Sequence, residues 1–168
     1  MKIVGIDAST NKTGMAVLED GKYVTHTLID LHKITDAKER IPKMMVEICK
    51  YLDEHQADKI VMEESWYVSN ISTVKMLAEL AGAVRYYATV RDIELELLLP
   101  TAWRRRVGLT QSTKVKREKL KQEAIDAVKY EYDLDVPDDV AEATLIARSG
   151  FDLPPIGDQV GSEEEWDI

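Results

Sequence analysis

Only one cysteine occurs in 168 residues. Cys49 cannot close an internal disulfide, so no covalent cross-link within the chain holds the fold, and the composition suits a reducing compartment. It lies in the run Ile41–Leu52 beside Val46 and Ile48, where a buried structural thiol is expected. No stretch approaches the roughly 18 to 20 apolar residues that a membrane-crossing helix needs. The opening MKIVGID lacks the long apolar region and small-residue cleavage site of a secretory leader, so a cytoplasmic location is expected. Internal repeats are lacking too. The length then predicts one domain with a well-buried core.

What is present is charge, unevenly spread. The net charge of −9 argues at first against a nucleic-acid partner. Between Ala102 and Gln122, however, stand Arg104, Arg105, Arg106, Lys114, Lys116, Arg117, Lys119 and Lys121 against a single acid, Glu118. That segment carries +7, and the rest of the chain, with 14 basic and 30 acidic residues, carries −16. Phosphates respond to local positive charge, not to the average. From Phe151 onward there are six acids, no base and the pair Pro154-Pro155, which reads as a flexible acidic tail over 151–168 behind a domain of residues 1–150.

Periodicity places the elements. Lys2–Ile6 is a short apolar run reaching Asp7, a central-strand pattern. Gly14–Leu18 and Tyr23–Ile29 read as strands joined at Asp20-Gly21, a strong hairpin signal. Apolar residues recur at helical spacing from Asp36 to His55, and Lys59–Met62 is another strand, ending in Glu63-Glu64. Ser72–Val90 reads as a helix and Ile93–Leu99 as a strand closed by Pro100. Two helices follow, Thr113–Tyr132 and Asp138–Ser149. Antiparallel strands first and α/β crossovers afterwards predict a mixed five-stranded sheet, its first three strands antiparallel, with helices on both faces.

Acidic residues fall at suggestive points of this pattern. Asp7 ends the first strand and Glu63 the fourth, and neighbouring strands of such sheets open their C-terminal ends into one crevice. Two carboxylates facing each other there repel unless a cation lies between them. Asp139 and Glu142, spaced i, i+3 at the start of the last helix, share one face of it. Docked on the same sheet edge, that helix would bring four carboxylates together without His or Cys partners. Such a set suits hard, oxygen-preferring cations, Mg²⁺ or Mn²⁺, and two of them about 4 Å apart can drive phosphodiester hydrolysis. Singly, Asp139 also reads as a helix cap, and Asp138 and Glu64 are adjacent rivals for the ligand roles.

Gly5-Ile6-Asp7-Ala8-Ser9-Thr10-Asn11-Lys12-Thr13-Gly14 resembles the opening of the RuvC family of Holliday-junction resolvases, within the ribonuclease H-like superfold. Val61-Met62-Glu63-Glu64-Ser65-Trp66 resembles the family's second acidic strand, and Asn70–Gly82 the helix after it. Val107-Gly108-Leu109 through Lys114 resembles its loop and basic helix start, and Asp139–Ala147 its closing helix. Five such motifs stand in order over residues 1–150. The resemblance implies a Mg²⁺-dependent endonuclease, a homodimer that nicks two strands of four-way or otherwise branched DNA. It implies two ions, with Mn²⁺ able to substitute, held by Asp7, Glu63, Asp139 and Glu142. Lys114 would offset charge near the scissile phosphate, and Trp66 would stack on an unpaired base. Arg104, Arg105, Arg106, Lys116 and Arg117 would contact DNA, the three arginines through backbone phosphates. Glu142 departs from the family's usual Asp, and the acidic balance points to a phage-type or otherwise divergent member working in a host cytoplasm. A ribonuclease H-like nuclease acting on RNA–DNA hybrids and a non-catalytic junction-binding module are the alternatives.

Overall fold

The computed structural model describes residues 1–64, 70–112 and 114–156. Its first three strands, β1 (Lys2–Ala8), β2 (Lys12–Glu19) and β3 (Lys22–Asp30), form an antiparallel meander. Asp20 and Gly21 turn the β2–β3 hairpin at φ 50° and 77°. Positive φ at both central residues gives the turn a twist that matches the strands it joins. Then come α1 (Ala37–His55), β4 (Lys59–Glu63), α2 (Ile71–Val90) and β5 (Glu94–Leu98). Three helices close the chain: α3 (Pro100–Val107), α4 (Arg117–Tyr132) and α5 (Asp138–Ser149). The sheet order is β3-β2-β1-β4-β5, with β4 parallel to β1 and β5 parallel to β4. This is the mixed five-stranded sheet that the pattern predicts.

Strand alternation divides the core into two layers. Val4 and Ile6 of β1, with Ile60 and Met62 of β4, pack with Met44 and Ile48 of α1 and Leu80 and Val84 of α2. Ile3 and Val61 point the other way, into a layer with Trp103 of α3, Val128 of α4 and Leu145 of α5. Helix starts follow local chemistry. Asp36 caps α1 by accepting from the Lys38 N–H at 2.9 Å, and Asn70 caps α2 through the Ser72 N–H at 2.9 Å. α5 lies so close to the sheet that only glycine fits beneath it. A Cβ on Gly5 would stand 2.1 Å from the Ala143 carbonyl oxygen, and one on Gly14 2.1 Å from that of Asp139.

The fold differs from the pattern in four places. Pro100 does not merely end a strand: it opens α3, which Gly108 ends at φ 82°. Proline at the first helical position and glycine just past the last are the ordinary punctuation of a short helix. α4 begins at Arg117, not near Thr113, which lies outside the described residues. Packing continues past residue 150. Ile156 is buried and its N–H donates to the Val107 carbonyl at 2.8 Å. Cys49, finally, is half-buried against the first layer, not sealed inside it.

Candidate active site

The register sets two carboxylates side by side. Ile6 of β1 lies beside Met62 of β4, so the next residues, Asp7 and Glu63, occupy adjacent strand ends. Both fall in phase with Ile3 and Val61, and therefore on the α5 side of the sheet. Glu64 is one residue out of phase with them, and both glutamates border a cavity of about 410 Å³ with Met62, Val74, Leu77 and Gly82. The Gly5 and Gly14 contacts lower α5 onto the same strand ends, and Gly14 is also the register partner of Asp7. Asp139 and Glu142 arrive by that route.

The carboxylates perturb one another. Burial pushes the Asp7 carboxyl well above its ordinary range, and the negative charges of Glu63, Glu142 and Asp139 push it further. Burial raises Glu142 to about 7, with Glu63 adding to the shift and Arg104 and Lys121 opposing it. Asp139 is raised by burial and by its neighbour Asp138. Glu63 is raised by burial against a hydrogen bond from Trp103 and the charges of Arg104 and Arg117. Asp138 behaves oppositely: burial would raise it, but its ion pair with Lys121 prevails and lowers it. Asp138 is thus paired to α4, and Asp139 is the one whose charge reaches Asp7.

Cations and donors from α3 and α4 surround these acids. Trp103 Nε1–H donates to Glu63 Oε2 at 2.7 Å. The Arg104 guanidinium is nearly sealed from solvent, donates to Glu123 at 2.8 Å and stands 3.5 Å from Glu142 Oε1. Its remaining donors reach the carbonyls of Thr110 and Leu120, both at 2.8 Å. The donor set, four carboxylates whose pKa values burial raises, suits a hard divalent cation. Among the described residues no three acidic, His or Cys side chains are gathered tightly enough to hold one ion as they stand. Glu63 is turned to Trp103 and Glu142 to Arg104, so ligation would require the latter contact to loosen.

A family model described as "Crossover junction endodeoxyribonuclease RuvC" matches residues 3–147. The chain belongs to the RuvC family. It is 27% identical to RuvC of Hydrogenovibrio crunogenus over 104 residues, 60% of this chain and 60% of that protein. It is 28% identical to RuvC of Carboxydothermus hydrogenoformans over 155 residues, 90% of this chain and 96% of that one. The match to the former thus spans less than two thirds of its length. Among solved structures, T. thermophilus RuvC in complex with a Holliday junction substrate superposes with a TM-score of 0.71 at 17% identity, covering 89% of this chain and 92% of that one. At that identity the likeness is one of fold.

Set on this RuvC fold, the other expected site residues separate. Lys114, Lys116 and Arg117 are exposed at and before the start of α4, and the charge of Arg117 reaches both Glu63 and Asp139. Arg105 is exposed on α3. Arg104 is not a phosphate contact: a guanidinium already bonded to two carbonyls and a carboxylate inside the protein cannot reach DNA. Arg106 is exposed but ion-paired to Glu96 at 2.6 Å and bonded to the Ser149 carbonyl at 3.3 Å. Trp66 lies outside the described residues. Sequence reasoning missed Trp103, Lys121 and the inward role of Arg104. The usable signal was Pro100 with Gly108, which frames α3 and puts Trp103 and Arg104 on one short helix.

Proposed function

We propose that this chain is a metal-dependent endodeoxyribonuclease that resolves Holliday junctions or other branched DNA. The observation that carries the reading is the convergence of Asp7, Glu63, Asp139 and Glu142 from β1, β4 and α5 on one side of the sheet. These four would hold Mg²⁺, with Mn²⁺ able to substitute. Bound there, two such ions would activate a water and stabilise the leaving oxygen of a phosphodiester. Asp7 feels the charges of all three others and would be the ligand they share. Arg105, Lys116 and Arg117 hold backbone phosphates, and Lys114 offsets charge developing on the phosphate under attack.

The active form is a homodimer. Ile71, Val74, Tyr86 and Val90 form an exposed stripe along α2, and a Cβ on Gly82 in the same stripe would meet nothing within 4 Å. An apolar stripe with a small residue at its centre suits close packing against a second copy. Two copies place two carboxylate sites on one junction, as paired nicking requires. Tyr86→Glu is expected to shift the protein to monomer in analytical ultracentrifugation; an unaltered dimer places the interface elsewhere.

Asp7→Asn tests the chemistry. It should abolish Mg²⁺-dependent nicking of a synthetic four-way junction while gel-shift binding in EDTA persists. Full nicking by that variant overturns the site. Running the same proteins on a fork, a linear duplex and an RNA–DNA hybrid separates junction resolution from hybrid cleavage.

A further inference from the structure

We infer that Trp103 is a positioning residue for Glu63, fixing how that carboxylate meets a divalent cation. The inference rests on the reading of Glu63 as a metal ligand. Glu63 is a flexible side chain at a strand end, and one of its oxygens accepts from Trp103 Nε1–H at 2.7 Å. The indole is fully buried and has no rotamer to spare. Its N–H can only donate, so it holds Glu63 through one carboxylate oxygen and fixes the plane in which the group faces a cation.

The platform beneath the indole is rigid. α3 is held at its start by Pro100 and at its end by Gly108. The neighbouring Arg104 ties the same turn to Glu123, Leu120 and Thr110. Removing a hydrogen bond that orients a metal ligand typically weakens metal affinity about 10- to 100-fold. A tryptophan that merely fills the core has no such effect when replaced by another large aromatic.

Trp103→Phe keeps an aromatic ring in place and deletes the N–H. In the full-length protein it should raise the Mn²⁺ dissociation constant, measured by calorimetry, by about 10-fold or more. The Mg²⁺ midpoint for junction nicking should move by the same factor, with junction binding in EDTA unchanged. Unaltered metal affinity in a folded Trp103→Phe protein overturns the inference. A second measurement needs no Trp103 variant. The Trp103 indole N–H resonance, distinguished from those of the other two tryptophans by Trp66→Phe and Trp166→Phe, should move on adding Mg²⁺ and again in Glu63→Gln. A resonance indifferent to both overturns the inference even if Trp103→Phe fails to fold. Glu63→Gln separates the two levels. If it keeps full Mn²⁺ affinity, the ligand role of Glu63 fails and takes this inference with it. If it loses affinity while Trp103→Phe does not, only the positioning role fails.

Discussion

Asp7 occupies a position that a folded protein would ordinarily avoid. Its carboxyl is embedded beside three others, and the fold holds its pKa and that of Glu142 above their ordinary values. A group whose folded pKa is raised favours folding while protonated, and that contribution is lost as pH rises from the unfolded to the folded value. For Glu142 the window runs from 4.5 to about 7. In EDTA the melting temperature should therefore fall as pH is raised through that window, and Mg²⁺ should flatten the fall by neutralising the cluster. Scanning calorimetry between pH 5 and 8 checks this; a metal-free melting temperature that climbs with pH contradicts the buried repulsion. Of the rival carboxylates, Glu63 is in phase with Val61 on the α5 side of the sheet and Glu64 is not. Asp138 and Asp139 could not be told apart in the sequence, because what separates them is Lys121, 17 residues away.

Among the elements, the strands and the helices α1, α2, α4 and α5 were legible because each carries a period of two or 3.6 over enough residues to be read. α3 was not, since eight residues are too few for a helical period to be read. That omission misdirected the arginines. Read as a loop, Arg104–Arg106 form a cationic cluster; wound into a helix, they diverge, one inward to Glu142 and Glu123, one to Glu96, and Arg105 outward. The approach of α5 to the sheet was also hidden, because two glycines in strands do not announce which helix covers them. Gly14→Ala tests that approach. Its Cβ would collide with the backbone of Asp139, forcing a shift that costs on the order of 1–3 kcal/mol. The expected result is a melting temperature lower by several degrees and nicking reduced more than binding. A variant with wild-type turnover shows that α5 has room to move.

Over the whole molecule, charge is sorted in three dimensions as it is along the chain. Lys114, Lys116 and Arg117 are exposed at and before the start of α4, and the charge of Arg117 reaches Glu63 and Asp139, on a molecule whose net charge is −9. Binding to DNA should consequently depend steeply on salt, with a slope near −0.9 per phosphate neutralised. Replacing Arg105, Lys116 and Arg117 by glutamine should flatten that slope by roughly two to three units in a salt titration. Replacing Arg104 should instead damage stability, and an equal flattening by both sets would return Arg104 to the surface. The lone ladder partner of each edge strand, β3 and β5, leaves β1 in the middle, bonded on both sides. Hydrogen exchange at such a strand proceeds only when the sheet itself comes apart. Asp7 is therefore mounted on the part of the chain that is last to open, and the first carboxylate stays in place through every smaller fluctuation the protein undergoes while its substrate is turned over.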